Sequence, residues 1–135
     1  MLGLAGLTAL TTGVHFLALL YIGLGGFLAW VWPKTILVHV LFAVWGLAVN
    51  VLPLPCPLTV LEDYLRGQRG LGPLPGGFNE YYIYDTIFPR ELLPVVGFGA
   101  LALVLFSYVG AYLRWRGRHH LAASLTAGAM FAERQ

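Results

Sequence analysis

Apolar residues in this chain fall into three long blocks, separated by one tight polar break and one long mixed loop. The first block ends in LALLYIGLGGFLAWVW. A helix needs about 20 residues to cross the hydrocarbon of a bilayer. Counting back from Val31 therefore predicts a span over residues 11–31, with MLGLAGLTAL extending it or lying in the interface. Trp30 and Trp32 sit where an aromatic belt is expected. Pro33 and Lys34 then form a very short turn. The second block, ILVHVLFAVWGLAVNVL, predicts a span over 35–52. Pro53, Pro55 and Pro57 stop it, since proline cannot supply the backbone donor of a continuing helix. The third, LLPVVGFGALALVLFSYVGAYL, predicts a span over 91–113, with Pro94 in its first turns favouring a bend there.

The loop between the second and third spans carries its own pattern. Thr59-Val60-Leu61-Glu62 has the form of a capping box. It predicts a short helix to about Leu65 or Arg66, with Leu58, Leu61 and Leu65 on one face and Glu62, Asp63 and Arg66 on the other. Such a helix suits the membrane surface. GQRGLGPLPGG reads as flexible connection. NEYYIYDTIF is a second interfacial candidate, because tyrosine can keep its ring half dry and its hydroxyl wet. The expected fold is thus an all-α membrane protein, with three transmembrane helices and one or two short interfacial helices in a long outer loop. Residues 1–118 form one integral membrane domain, and 119–135 form a cytoplasmic tail that is either an interfacial helix or disordered.

Composition agrees with lipid as the solvent. Of 135 residues, 59% are hydrophobic and 10% charged, against roughly 25% charged in a soluble domain. A net charge of +2 gives no reason to expect nucleic acid as a partner. The expected partners are the bilayer itself and other membrane proteins or further copies of the chain. The apolar run from Leu2 to Trp32 far exceeds the roughly 7–15 residues of a signal-peptide core, so it reads as a retained span. One cysteine, Cys56, excludes a disulfide within the chain.

Basic residues give a direction. Lys34 lies in the tight turn, and Arg114, Arg116 and Arg118 follow the third span. The long loop instead mixes Arg66, Arg69 and Arg90 with five carboxylates. The positive-inside rule places the Lys34 turn and the C-terminus in the cytoplasm, and the N-terminus and long loop outside. The RWRGR run is expected to anchor on anionic lipid.

Helical rise of about 1.5 Å per residue locates the polar side chains in depth. His15 lies roughly 24 Å, and Asn50 roughly 22 Å, from the cytoplasmic end. Cys56, Thr59 and Glu62 follow at that outer level, so His15, Asn50, Cys56, Thr59 and Glu62 form the candidate cluster. His15, Cys56 and Glu62 are a conceivable metal-ligand set, and a thiolate beside an imidazole is also a nucleophile. The stronger expectation is structural: His15 bonds Asn50 or a backbone group between helices, and Glu62 completes a cap. His39 lies roughly 18 Å from His15 in depth, which rules the pair out as axial ligands of one haem. It is expected to serve helix packing. His119 and His120 belong with the solvated basic tail. Small residues repeat at four-residue spacing in Ala5-Ala9-Gly13, Gly25-Ala29 and Ser107-Ala111, a spacing that lets helix backbones approach.

His15-Phe16, Trp32-Pro33, His39, Cys56-Pro57-Leu58-Thr59 with Glu62, and Gly76-Gly77-Phe78 together resemble the bacterial membrane-protein family called domain of unknown function 2784. The resemblance runs from about residue 9 to residue 116. It implies weight for His15, His39, Cys56, Thr59 and Glu62, an inner-membrane location, and no particular activity or cofactor. Members of that family often carry Glu near Asn50 and His where Tyr81 or Tyr82 stands here, so two potential ligands or proton carriers are missing. With no complete catalytic constellation, an accessory membrane protein acting through helix contacts is the leading expectation, ahead of an enzyme. An outer-face metal or redox site on His15, Cys56 and Glu62 is the alternative.

Overall fold

The computed structural model describes residues 3–52 and 54–133; Met1, Leu2, Pro53, Arg134 and Gln135 lie outside the described residues. Helix α1 spans Leu4–Leu24 and continues as a 3-10 turn over Gly25–Trp30. Helix α2 spans Thr35–Val51, α3 Pro57–Gln68, α4 Phe78–Tyr82 and α5 Leu93–Ala132, with a second 3-10 turn at Arg90–Leu92. Among the described residues no β-strand forms. The fold is all-helical, and the long loop holds two short helices.

Two continuous stretches are long and apolar enough to cross a membrane, Leu4–Trp30 and Arg90–Ala132. The apolar helix α2 has 17 residues and is shorter than either. Helix α1 begins well before the expected residue 11. In its early turns each threonine hydroxyl donates to the carbonyl one turn back, Thr8 to Leu4 at 2.8 Å and Thr11 to Leu7 at 3.0 Å, which satisfies the hydroxyls on an otherwise apolar helix. Pro94 falls at the start of α5, where its missing N–H has no helical partner to lose. The tail is neither disordered nor a separate helix: α5 runs unbroken through Arg114–Arg118 to Ala132. At about 1.5 Å per residue, α5 is about 60 Å long, twice the thickness of a hydrocarbon core.

The interior is polar and the exterior apolar. His39, Glu62 and Ser107 are fully buried, whereas Leu17, Leu37, Leu41, Phe98 and many others are largely exposed. Burial is concentrated at two places. One is the face of α1 that packs on α3; the other is the 3-10 turn, which packs on α5. At the second, Gly26 meets Ser107 and His39, Gly25 meets Tyr21 and His39, and the buried Ala29 and Ala111 line one small cleft. The Ala5-Ala9-Gly13 stripe instead lies on the exposed side of α1.

Close approach at this junction is held by hydrogen bonds. Trp30 Nε1 donates to the Ser107 carbonyl at 2.8 Å, and Ser107 Oγ donates to the Val104 carbonyl at 2.7 Å. His39 Nε2 lies 3.0 Å from the Ile22 carbonyl, and its Nδ1 lies 2.8 Å from the Tyr108 hydroxyl. A carbonyl can only accept, so Nε2 carries the proton and, in the neutral ring, Nδ1 accepts from Tyr108. His39 thus ties α1, α2 and α5 together, as its expected packing role requires.

A methyl group at Gly26 would overlap the Ser107 side chain, whereas one at Gly13 meets nothing within 4 Å. Gly26→Ala should therefore destabilise the folded chain in detergent by about 1–3 kcal/mol, the usual range for overpacking. Gly13→Ala should not lower the thermal midpoint. Equal midpoints for the two variants would show that the helices do not approach as described.

Candidate functional site

Helix α3 begins with Pro57 at its first turn and Cys56 as the preceding cap residue. Proline there is pre-set for a helix, and its absent N–H is not missed. No side chain caps this end, so Thr59 and Glu62 do not form the expected capping box. The helix starts three residues earlier than that motif implies. This turns Glu62 inward beside Leu65, not onto a polar outer face, and leaves Leu61 and Tyr64 exposed.

Glu62 meets the polar side of α1. The Glu62 Oε1 atom accepts from Thr12 Oγ1 at 2.8 Å and from the Tyr82 hydroxyl at 2.9 Å. Its Oε2 atom is buried and has no hydrogen-bond partner among the described residues. Tyr82 comes from α4, whose entry turns on Gly76 and Gly77, with φ of 71° and 90°. Those values lie in the left-handed region, which glycine enters without penalty. Burial, the largest influence, pushes the Tyr82 hydroxyl above its ordinary value of 10.0, so it remains a donor to Glu62.

The neighbouring turn is built from rings. His15 stacks on Phe78 with centroids 3.7 Å apart and an 18° angle between planes. Phe16 meets Phe78 edge-on at 5.0 Å. His15 is buried, with Nε2 3.8 Å from Cys56 Sγ and Nδ1 without a partner among the described residues. The expected bond to Asn50 is absent. Asn50 Nδ2 donates to the Gly46 carbonyl at 2.7 Å, and its Oδ1 accepts from Asn79 at 3.4 Å.

The connection GQRGLGPLPGG is pinned, contrary to its flexible composition. Leu74 is buried, its N–H donates to Asp63 Oδ1 at 2.7 Å, and Arg66 Nε donates to the Gly72 carbonyl at 2.9 Å. Arg90 reaches Glu80 at 2.6 Å and Asp85 at 3.2 Å, on an exposed rim. Together these contacts tie the loop to itself and to α3.

Beneath the loop is an open cavity of about 870 Å³. His15, Asn50, Cys56 and Thr59 all line it, so the residues predicted to share one level do reach one space. Its floor is apolar, formed by Leu19, Ile22, Phe42, Trp45 and Val49. Glu62 stands behind His15 in the α1–α3 contact and is not part of the lining. The metal set His15, Cys56 and Glu62 is not assembled: among the described residues no three His, Cys, Asp or Glu side chains gather as ligands. Physically, Glu62 is drawn toward Thr12 and Tyr82, while His15 Nε2 faces the thiol. Thr12 is not among the candidates, although the spacing Thr8, Thr12, His15 is a helical stripe that signals one polar face; Phe78 and Tyr82 enter through the family resemblance, without their contacts to His15 and Glu62.

At the far end, the basic residues proposed as lipid anchors also have partners within the chain. Arg118 donates to the Trp30 carbonyl at 2.8 Å, and the Arg114 guanidinium lies 4.6 Å from the Trp30 ring centre. Arg116 Nε lies 3.5 Å from His120 Nε2.

These features define an all-helical protein with long apolar helices and a polar-rimmed cavity under a pinned loop. The chain belongs to the family described as Protein of Unknown function (DUF2784), which matches residues 6–130 and so takes in most of the long α5. Neither the curated proteins nor the solved structures contain a match to it.

Tyr82→Phe and Thr12→Val each remove one donor from a buried carboxylate, which should cost about 1–3 kcal/mol of stability. A raised hydroxyl pKa gives a further signature. The contribution of Tyr82 is present below its ordinary value of 10.0 and is lost as pH climbs through its higher folded value. Thermal unfolding in detergent between about pH 8 and pH 11 should show that loss in the parent and not in Tyr82→Phe. Identical pH profiles would contradict the contact.

Proposed function

We propose that this is an integral membrane protein that binds a lipid-like amphiphile from the outer face of the bilayer. One observation carries the reading: the 870 Å³ cavity has chemically distinct ends. His15, Asn50, Cys56 and Thr59 offer polar contacts at one, and Trp45, Phe42 and Leu19 offer an apolar slot at the other. Small-molecule sites are commonly apolar clefts with a few placed polar groups. From Asn50 to Phe42 the slot runs along α2 for about 12 Å, enough for part of an acyl or isoprenoid chain.

The chain crosses the membrane three times in this reading. Helices α1 and α5 have sufficient apolar length, and α2, although short at 17 residues, exposes Leu37, Leu41 and Leu47 as a lipid-facing surface would. Lys34, Arg114 and Arg118 mark the cytoplasmic end, and the loop with its carboxylates lies outside in a bacterial inner membrane. Arg114, Arg116 and Arg118 remain candidate contacts for anionic lipid. The exposed Ala5-Ala9-Gly13 stripe is what supports a helix-contact role; the cavity, with a defined shape and two chemical ends, is the stronger support.

Trp45 lines the apolar floor and reports on occupancy. A bromine-labelled fatty acid or monoacylglycerol should quench its fluorescence saturably in detergent-solubilised protein. Trp30, Trp32 and Trp115, each replaced by Phe, should leave that signal in place. Ala18→Phe, which fills the slot, should weaken binding by about tenfold, or about 1.4 kcal/mol. Quenching that never saturates, or that ignores Ala18→Phe, would sink the proposal.

Direction across the membrane is tested separately. A periplasmic reporter fused after Gln135 should be inactive, and a cytoplasmic reporter there active. The opposite pattern inverts the topology.

A further inference from the structure

We propose that Cys56 is a nucleophile that takes the acyl group from an ester-linked amphiphile held in the cavity, with His15 as its general base. The inference rests on the amphiphile-binding reading and goes beyond it by assigning a reaction. Three independent features meet at one place. Cys56 Sγ lies 3.8 Å from His15 Nε2, and both residues line the cavity. His15 is buried and stacks on Phe78, and its Nδ1 has no partner among the described residues. Cys56 precedes the first turn of α3, a helix of 12 residues.

Each feature has a chemical consequence. An imidazole that accepts a proton at Nε2 must, when neutral, carry its hydrogen on Nδ1. That tautomer suits a base facing a thiol. Stacking on Phe78 fixes the ring, so little reorientation is needed before proton transfer. The N–H groups of Leu58 and Thr59, in the first turn of α3, have no partner within that helix. Groups of this kind stabilise negative charge developing at a helix start.

The cavity specifies the electrophile. A chain in the apolar slot puts the junction between chain and headgroup at the polar rim, beside the thiol. In ester-linked amphiphiles that junction is a carbonyl carbon. A disulfide within the chain is excluded by the single cysteine. Acyl transfer needs neither a second thiol nor an outside oxidant.

The step balances without electron transfer. Sulfur of Cys56 bonds to the acyl carbon, and the bond from that carbon to the ester oxygen breaks. The thiol proton passes to His15 Nε2 and from there to the departing alkoxide, which leaves as an alcohol. The product is a thioester on Cys56, and His15 returns to its neutral form. Water or a second alcohol then accepts the acyl group by the reverse sequence. Glu62 is not assigned a part in bond making, since its Oε1 atom is occupied by Thr12 and Tyr82.

The test uses the full chain in detergent with 4-nitrophenyl decanoate, and 4-nitrophenyl acetate for comparison. Intact mass should show one decanoyl group, mapped to Cys56 and released by neutral hydroxylamine. Decanoyl transfer should exceed acetyl transfer by about tenfold or more, because burial of the chain favours it. His15→Gln should slow nitrophenolate release about 100-fold, within the usual range for loss of a general base. Bromolipid quenching of Trp45 is run on the same parent protein. Saturable quenching without acylation of Cys56 overturns this inference and leaves the binding reading intact. Acylation at the same rate after unfolding, or at equal rates for the two esters, also overturns it. Absence of saturable quenching removes the binding reading and this inference with it.

Discussion

A carboxylate removed from water must be bonded by the chain itself, and the end of this protein that carries the long loop is arranged around that demand. Glu62 is fully buried. An uncompensated charge in such a place costs several kcal/mol, so donors must be brought to it. Two hydroxyls converge on Oε1, Thr12 from a membrane-length helix and Tyr82 from the loop. The carboxylate therefore joins segments fifty residues apart along the chain. It also sets the rotation of α3, and with it the position of Cys56 at the start of that helix. The cavity and its thiol are in this sense consequences of where Glu62 finds its partners.

The opposite end uses different means for the same purpose. There no carboxylate is present, and close backbone approach replaces it. Gly26 lets the 3-10 turn press on Ser107 and Gly25 lets it close on Tyr21 and His39, while Trp30, Ser107, His39 and Tyr108 make hydrogen bonds across the junction. The arginines following the apolar part of α5 fold back onto Trp30. This end is closely packed apart from a cleft of about 280 Å³, and the larger space, about 870 Å³, lies at the other end.

Much of the helical organisation was legible in the sequence because it follows from local chemistry. Blocks of apolar residues, prolines and the Pro33-Lys34 turn fixed the order of the long helices, and His39 behaved as a packing residue. Depth arithmetic correctly brought His15, Asn50, Cys56 and Thr59 to one cavity. Pairwise guesses within the cluster fared worse. Asn50 faces Asn79, not His15, and the three-ligand metal set does not form. Helical rise gives height along an axis, whereas such contacts depend on rotation about it, about 100° for each residue. The tail was misjudged for a related reason: a polar, arginine-rich stretch carries no signal that an upstream helix must end, and α5 simply continues.

The sequence by itself determined that long apolar segments would be helical, that their ends would fall at prolines and polar turns, and which polar residues would share a depth. These are properties of near neighbours and of hydrophobic periodicity. Tertiary structure alone decided which polar atoms meet: Glu62 with Tyr82, His15 with Phe78 and the thiol, Trp30 with Ser107. Such pairings join residues twenty to nearly eighty positions apart. They are favoured because a buried donor or acceptor that finds a partner avoids a desolvation cost, a condition that belongs to the whole packed assembly and to no single segment of it.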